Sequence, residues 1–509
     1  MSYYKELKIL GFRGFSQERK IEFAIPNENE GSGLTILVGE NNSGKTSILE
    51  SLRMINIAKR NSNGIVISEG RRNKKSNNSV KIVLITEEGK ETILSTDGDT
   101  PNAILKVDDA QELEKTKIYS LKSRREMLTF DYASNNSLSR EQINEYNLNR
   151  DSHSNREGEN FWARLKDIEK TGKKGSYSQL INEIIGKGKK LEWVLEVNDS
   201  GQNYIKHRIN EEENHNSEGI GDGIINIFFL AEKLFDSEKG DLIVIDEPEL
   251  SLHPSLQKNV LKKLLEFSKE RQIIISTHSP YFIDSKAIIN GAKLIRIAKE
   301  EEGIECYSLN DVKVFKNSME NSSNPHILGL VAKEIFLAED KIILVEGQDD
   351  VVYYKKIFDE FINGDTENDL KEKTEKVKNF LFGWGCGGAE NVRKILEMFK
   401  ELGYKKIFCI LDGDKKDKAK ELEKEYSKYR FKTISKDDIR DKKGKLKKKE
   451  IGKIFEIFKS EENEDIKKEL ENLGSKIGLL TENGNFKDDE AKKEIKELMM
   501  SMYDYFFEK

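Results

Sequence analysis

The octapeptide Gly-Glu-Asn-Asn-Ser-Gly-Lys-Thr at residues 39–46 restricts the fold of this chain more than any other feature. It matches the pattern G-x-x-x-x-G-K-[ST], and it lies between an apolar run at Leu34–Val38 and a helical pattern that begins at Lys45. Its glycines let backbone N–H groups turn inward around phosphates, and the helix N-terminus adds its positive end. The sequence therefore predicts an α/β fold in which a buried strand, this loop and a helix bind a nucleotide.

Individual residues of this loop have predicted roles. Lys45 would contact the β- and γ-phosphates of ATP, and the Thr46 hydroxyl would ligate Mg²⁺. The strand before the loop and the helix after it argue against a chance glycine turn. The residues of this segment that we predict to contact the nucleotide or its metal are Gly39, Asn41, Asn42, Ser43, Gly44, Lys45, Thr46 and Ser47.

Two later segments complete the predicted nucleotide site. The apolar run at 242–245 ends in Asp246 and Glu247, and the run at 272–275 leads into Ser-Thr-His-Ser-Pro at 276–280. Asp246 would hold Mg²⁺ through water, and Glu247 would orient and deprotonate the water that attacks the γ-phosphate. His278 would sense that phosphate. The three motifs in this order predict ATP hydrolysis.

A second group of carboxylates follows, at the ends of two further apolar runs. Glu346 follows the run at 342–345, Asp350 lies one turn into the next helix, and Asp412 and Asp414 follow the run at 407–411. Because the carboxyl ends of parallel strands meet at one sheet edge, these side chains should converge. Converging carboxylates repel one another unless a divalent cation neutralises them, and their hard oxygen atoms suit Mg²⁺ or Mn²⁺. The pattern predicts a metal site capable of phosphodiester chemistry.

Length and composition limit the class of protein. A chain of 509 residues predicts two or three domains, and it has no apolar stretch of the roughly 20 residues that span a bilayer. Three widely spaced cysteines fit a reducing cytoplasm better than a disulfide framework. The formal net charge of -6 does not indicate a nucleic-acid binder, although a local basic strip can serve that purpose.

Changes of pattern along the chain predict three regions. Residues 1–320 form the ATPase domain, with a helical insertion at about 130–190 that is a candidate dimerisation region. Strands and helices alternate at 326–445, beginning with a helix at 328–337 and including a strand at 380–382, which predicts a small parallel sheet. Residues 446–509 form a helical C-terminal region. The predicted fold class is therefore α/β, a P-loop domain followed by a smaller parallel α/β domain and helices.

The order of the nucleotide motifs resembles that of the ABC-type ATPases of the recombination-repair and SMC-like group. Residues 247–254, Glu-Pro-Glu-Leu-Ser-Leu-His-Pro, look like that group's Walker B motif with its following D-loop. Its signature, normally Ser-Gly-Gly before a helix, corresponds here to a degenerate sequence around Gly221 and Gly223. In that group ATP lies between two heads. The resemblance thus implies a homodimer or higher homo-oligomer, in which Gly221 and Gly223 cap a phosphate bound by the second subunit.

The acidic segments resemble a Toprim domain. They comprise Glu-Gly at 346–347, Gly-Cys-Gly-Gly at 385–388 and Asp-x-Asp at 412–414. A Toprim domain after an interrupted ABC-type head is the arrangement of the overcoming-lysogenisation-defect (OLD) nuclease family, and the resemblance covers about residues 1–445. It implies an ATP-regulated, metal-dependent endonuclease that acts on DNA in antiphage defence, as in Gabija-like systems, alone or with a partner defence protein.

The same resemblance assigns the catalytic and metal-binding residues. Family members carry a further acidic pair, for which Asp438 is the candidate here, while Arg440 stands where a glutamate is expected. The implied catalytic residues are Glu247, His278, Glu346, Asp350, Asp412 and Asp414. The implied metal ligands are Thr46 and Asp246 at the nucleotide, and Glu346, Asp350, Asp412, Asp414 and Asp438 at the acidic edge.

Two alternatives remain open at this stage. Arg440 in place of an acid leaves room for a Toprim ribonuclease that cuts tRNA. The degenerate signature together with Arg440 leaves room for an ATP-gated sensor or scaffold without nuclease activity. Cleavage of plasmid DNA, of tRNA or of neither would separate these hypotheses.

Overall fold

A computed structural model describes the chain in two compact units, residues 1–309 and 310–509. Each unit has its own sheets and its own hydrophobic core. The described residues are 2–59, 61, 64–109, 116–123, 156–186, 190–199, 203–210, 220–309, 340–363, 367–381, 386, 388–435 and 489–507.

The first unit alternates strands and helices around the predicted loop. Its strands are β1 (Tyr4–Leu10), β2 (Arg19–Glu22), β3 (Leu34–Val38), β4 (Ile65–Val66), β5 (Lys81–Thr86), β6 (Glu91–Thr96), β7 (Asn102–Val107), β8 (Ile118–Leu121), β9 (Leu191–Val197), β10 (Asn203–Ile209), β11 (Leu242–Asp246), β12 (Gln272–Ser276), β13 (Lys293–Glu300) and β14 (Gly303–Ser308). Its helices are α1 (Lys45–Ala58), α2 (Arg156–Lys170), α3 (Lys174–Ile185), α4 (Asp222–Asp236), α5 (Pro254–Phe267) and α6 (Ser285–Ile289).

Two six-stranded sheets cover helix α1. One has the order β2-β1-β5-β6-β7-β4 and is antiparallel, and the other has the order β14-β13-β3-β12-β11-β8. In the second sheet only β13 and β14 pair antiparallel. Apolar side chains of α1 such as Ile48, Leu52 and Ile55 are fully buried between Leu84 of the first sheet and Val244 of the second. The parallel strands are buried on both faces, which explains their continuous apolar runs.

Helices α2 and α3 belong to the predicted insertion, and they pack with α4 around an aromatic cluster that includes Phe161, Tyr177 and Phe228. Arg164 of α2 is buried and forms ion pairs with Asp167 and with Asp236 at the end of α4. Its Nε donates a hydrogen bond to Asp236 Oδ2 at 3.0 Å. These carboxylates raise the pKa of Arg164 despite the opposing effect of burial. The pair therefore anchors the insertion to α4.

Replacing Arg164 with alanine is expected to lower the free energy of unfolding by about 3–5 kcal/mol, because Asp236 would stay buried without its guanidinium partner. The matched control is Arg208→Ala, which removes an exposed pair with Glu192 and should cost less than about 1 kcal/mol. Thermal and urea unfolding of the full-length chain measures both effects. Equal losses of unfolding free energy in the two variants would show that the buried pair stabilises the fold no more than the exposed pair does.

The second unit is built on a parallel sheet of order β15-β16-β17. Its strands are β15 (Lys341–Val345), β16 (Lys406–Leu411) and β17 (Arg430–Thr433), and its helices are α7 (Gln348–Asn363), α8 (Asn368–Lys378), α9 (Ala389–Glu401), α10 (Lys416–Glu425) and α11 (Asp489–Phe507). Helix α11 buries Ile495, Met499 and Met502 in the same core as Ile343 and Phe408. The last helix is thus part of this unit, which fits its amphipathic spacing.

The predicted α/β class is confirmed. Of the strand expected at 380–382, Leu381 forms a parallel bridge with Ile343, and residue 382 lies outside the described residues. The boundary expected near 320–326, the helix expected at 328–337 and the first helix expected after residue 446 lie outside the described residues. None of the helices in the described part combines the length and apolar composition that a membrane crossing requires.

Candidate functional site

The loop at residues 39–46 connects β3 directly to α1. Gly39 and Gly44 have φ angles of 144° and 114°, in the region that favours glycine. A Cβ atom on Gly39 would lie 2.1 Å from the carbonyl oxygen of Ile297, and one on Gly44 would lie 2.3 Å from Ile304 Cδ1. Both positions therefore require glycine for conformation and for space, and strand β13 and its neighbour β14 press against the loop.

Polar groups inside the loop fit an anionic ligand. Ser43 Oγ is buried and has no hydrogen-bond partner among the residues that the structure describes. Lys45 Nζ donates hydrogen bonds to the carbonyl oxygens of Gly39 and Glu40 at 2.9 and 2.8 Å. Burial lowers the pKa of Lys45 to about 8, while the Asp246 carboxylate opposes that shift. Phosphate oxygens at this loop would accept from Ser43 and stabilise the charge of Lys45.

The two predicted magnesium ligands of the nucleotide site lie together. Thr46, in the first turn of α1, donates a hydrogen bond from Oγ1 to Asp246 Oδ2 at 3.1 Å. Asp246 is the last residue of β11 and pairs in register with Ser276, the last residue of β12. The Ser276 hydroxyl also donates to the Asp246 carboxylate. The parallel register thus brings residues 200 positions apart into one site.

Glu247 and His278 lie next to this cluster. Glu247 has a φ of 50°, and its N–H donates to the carbonyl oxygen of Ser276 at 3.0 Å. Partial burial of the ring, and then the positive charge of Lys45, lower the pKa of His278. The lowered pKa favours the neutral imidazole. Asn41, Asn42 and Ser47 belong to the same loop and first helical turn.

The two signature glycines have different surroundings. Gly221 precedes α4 as its N-cap, and a Cβ there would meet no described atom within 4 Å. A Cβ on Gly223 would lie 2.7 Å from the carbonyl oxygen of Ser251. Close packing within the chain therefore requires glycine at position 223, whereas no described atom restricts a side chain at position 221. Sequence reasoning assigned both to the nucleotide and did not foresee this packing.

The acidic edge of the second unit brings Glu346 and Asp412 into contact. They follow β15 and β16, and the N–H of Asp412 donates to Glu346 Oε1 at 2.8 Å. Asp350 Oδ2 accepts from the N–H of Gly347 at 2.7 Å. All three carboxylates are buried, with 6–9% of each residue exposed. Strand register and the first turn of α7 therefore place three predicted ligands at one edge.

Two further predicted ligands are not part of this arrangement. Asp414 is exposed, and its Oδ2 is ion-paired with Lys415 Nζ at 2.9 Å. Asp438 lies outside the described residues. Among the described residues, no group of three or more His, Cys, Asp or Glu side chains is arranged to hold a metal ion. The full ligand set therefore stays a prediction.

Other residues at this edge were missed from the sequence. Burial raises the pKa of Tyr354, and Asp350, Asp412 and Glu494 raise it further. Glu494 comes from α11, and its carboxylate accepts hydrogen bonds from the backbone and hydroxyl of Ser435. Beside it is a groove of about 460 Å³ lined by Lys416, Lys432, Thr433, Ile434, Ser435, Glu490, Lys493, Glu494, Glu497, Leu498 and Ser501. The spacing of apolar residues in the C-terminal region, residues 446–509, did not indicate where α11 packs.

Comparison with known proteins bears first on the nucleotide site. A family model described as "AAA domain, putative AbiEii toxin, Type IV TA system" matches residues 34–284. This span begins at β3 and includes Asp246 and His278. The matching family is therefore an ATPase family, as the motif order predicts.

Curated relatives are nucleases. Endonuclease GajA of Bacillus cereus is 28% identical over 26% of this chain and 21% of its own length. The Old nuclease of Escherichia phage P2 is 34% identical over 24% of this chain and 22% of its length. The resemblance to the OLD family is confirmed. The OLD nuclease of Thermus scotoductus is 29% identical over 35% of this chain and 32% of its length. The matches thus span between a fifth and a third of the length of these three relatives.

Solved structures give a weaker match. The SMC head domain from Thermotoga maritima is 16% identical, with a TM-score of 0.35 over 61% of this chain and 100% of that one. The α/β class of the first unit is established by its strand order and by the clustered nucleotide motifs. The Toprim assignment of the second unit stays a prediction.

Proposed function

We propose that the chain is an ATP-regulated, divalent-metal-dependent endonuclease of the OLD type that cuts or nicks DNA in antiphage defence. The observation that carries the proposal is the meeting of two buried acidic residues at the carboxyl edge of a parallel sheet, where the backbone N–H of Asp412 donates to the Glu346 carboxylate. The same chain contains the ATPase residues, and its curated relatives are named nucleases. This combination favours a nuclease over a simple nucleotide switch.

In this proposal the first unit binds and hydrolyses ATP. Lys45 and the loop N–H groups hold the phosphates, Thr46 and Asp246 hold the Mg²⁺, and Glu247 takes the proton of the attacking water. Bound Mg²⁺ neutralises charge on the phosphates. Gly221, where a Cβ atom would meet no described atom within 4 Å, would cap a phosphate of the nucleotide bound by a second subunit. The protein accordingly works as a homodimer or higher homo-oligomer.

The second unit supplies the cutting site. Glu346, Asp350 and Asp412 offer hard oxygen donors to Mg²⁺ or Mn²⁺, and Asp414 and Asp438 remain predicted ligands. Mg²⁺ commonly binds through one or two carboxylates together with substrate phosphates. A bound ion would supply an activated water and charge stabilisation for the leaving oxygen.

Partners and location follow from this function. Lys416, Lys432 and Lys493 line the groove that includes Glu494, and they would offer contacts to the phosphates of a nucleic-acid strand. DNA is the proposed substrate, and a partner defence protein is the proposed source of control. A cytoplasmic location fits three free cysteines.

A cleavage panel tests the proposal. Supercoiled plasmid DNA and tRNA are each incubated with the full-length protein and Mn²⁺, Mg²⁺ or EDTA, with and without ATP. We expect nicked and linear plasmid with Mn²⁺ or Mg²⁺, no product with EDTA, and a rate that changes with ATP. Gel electrophoresis and phosphate release measure the two activities in parallel.

Each other outcome of the panel has a defined meaning. Cleavage of tRNA without cleavage of plasmid would make the chain a ribonuclease. Loss of both cleavages, with ATP hydrolysis and assembly retained, would make it an ATP-gated sensor or scaffold. Cleavage that persists in EDTA would contradict a metal-dependent mechanism.

A further inference from the structure

The loop after β11, residues 247–252, which we call the acidic loop, has a strained backbone. Glu247 and Ser251 have φ angles of 50° and 57°, a region that side-chain-bearing residues rarely adopt. Such conformations persist only where the surrounding contacts fix them. The contacts of the acidic loop therefore determine where the predicted base, Glu247, lies.

One side of the acidic loop is held by helix α4, which begins at the signature glycines. Asn226 is 2% exposed, and its Nδ2 donates hydrogen bonds to the carbonyl oxygens of Pro248 and Leu250 at 3.2 and 2.7 Å. Gly223, one turn earlier, packs so closely on the Ser251 carbonyl that no side chain fits. The signature helix and the acidic loop are thus in direct contact at two levels.

The other side of the acidic loop is held by its own carboxylate. Glu249 Oε1 accepts from the N–H of His278 at 2.6 Å, and Oε2 accepts from Thr277 Oγ1 at 2.8 Å. The N–H of Thr277 in turn donates to the carbonyl oxygen of Leu37, in the strand before the phosphate-binding loop, at 3.1 Å. Glu249 therefore ties the acidic loop to His278 and, through Thr277, to β3.

We propose that Asn226 and Glu249 are positioning residues of the ATPase: they fix the acidic loop between the signature helix and His278. A displacement of α4 would move the backbone on both sides of Glu249, because Asn226 is hydrogen-bonded to Pro248 and Leu250. The same displacement would move His278, because Glu249 is hydrogen-bonded to its backbone N–H. The proposal rests on the nucleotide site described above and is independent of nuclease activity.

The test compares three variants of the full-length protein. Glu249→Gln keeps the shape of the side chain but has one acceptor oxygen, and Asn226→Asp keeps the shape but has no donor. Asp241→Asn is the matched control, because Asp241 is a buried carboxylate at the other end of β11 that accepts from the N–H groups of Lys117 and Glu238. ATP hydrolysis, binding of a fluorescent ATP analogue and thermal unfolding are measured for each variant.

We expect kcat for ATP hydrolysis to fall about tenfold or more in both test variants, because their buried hydrogen bonds are lost. KM and analogue affinity should stay within about twofold, and Asp241→Asn should keep kcat within about twofold even if it unfolds at a lower temperature. The Asn226→Asp variant provides a second result if Glu249→Gln does not fold.

Three results would overturn the inference. One is an unchanged kcat in both folded test variants, and the second is a raised KM at constant kcat, which indicates a role in binding. The third is an equal loss of kcat in Asp241→Asn, which indicates a general structural effect. A wild-type protein that hydrolyses no ATP would instead refute the ATPase part of the proposed function, and the inference with it.

Discussion

Glu247→Gln is expected to lower the rate of ATP hydrolysis by about 10²–10⁴-fold while ATP still binds. Glutamine keeps the size of the side chain, and its backbone N–H can still donate to Ser276 as Glu247 does at 3.0 Å. The glutamine side chain cannot accept the proton of the attacking water. The rate of the chemical step should therefore fall, while the affinity for ATP stays the same. Steady-state phosphate release measures the rate, and a fluorescent ATP analogue measures the affinity.

Glu266→Gln is the matched control for this prediction. Glu266 lies on α5 and pairs with Lys263 at the surface, so its loss should leave hydrolysis unchanged. A loss below about tenfold in Glu247→Gln would show that another group takes the proton. Loss of ATP binding in parallel with hydrolysis would show that Glu247 acts in binding rather than in catalysis.

The nucleotide half of the molecule was predictable because its determinants are local. The P-loop needs only a strand, two constrained glycines and a helix start, and all of these lie within residues 34–58. Asp246 follows from a second local rule, since an acid at the end of a buried parallel strand reaches the same sheet edge. The structure then places Thr46 and Asp246 in hydrogen-bond contact.

What the sequence did not predict depends on contacts between distant segments. In the sequence, Asn226 is an ordinary polar residue in an apolar helix. Only the fold shows that its side chain donates hydrogen bonds to the carbonyl groups of Pro248 and Leu250. In the sequence, Glu249 is part of the motif that follows Asp246. Only the fold shows that its carboxylate accepts a hydrogen bond from the backbone N–H of His278. No periodicity within one segment carries that information.

The acidic edge shows the same division. A parallel arrangement of β15 and β16 was enough to predict that Glu346 and Asp412 meet. The ion pair between Asp414 and Lys415 depends on a short 3₁₀ turn at Gly413–Lys415, which strand and helix patterns do not specify. Glu494 reaches this edge only because α11 packs across the sheet, more than 50 residues after β17.

Asp412→Asn is expected to lower metal-dependent cleavage by at least about 10²-fold and to leave ATP hydrolysis unchanged. The backbone N–H that Asp412 donates to Glu346 remains in the variant, so the edge should keep its shape. What is removed is one negative charge, and a site that neutralises a divalent cation through few carboxylates depends strongly on each. Plasmid nicking with Mn²⁺ measures the loss, and phosphate release measures the ATPase.

Asp417→Asn separates the charge at the edge from charge in general. Asp417 is exposed in the first turn of α10, five positions after Asp412, so its replacement should leave cleavage within about twofold, since it carries no buried contact. Glu346→Gln should reproduce the effect of Asp412→Asn, because both are buried carboxylates that we predict to bind the same ion. Cleavage that survives in both edge variants would place the chemistry elsewhere in the chain. Cleavage lost in Asp417→Asn as well would show that long-range charge, rather than a ligand at the edge, controls the reaction.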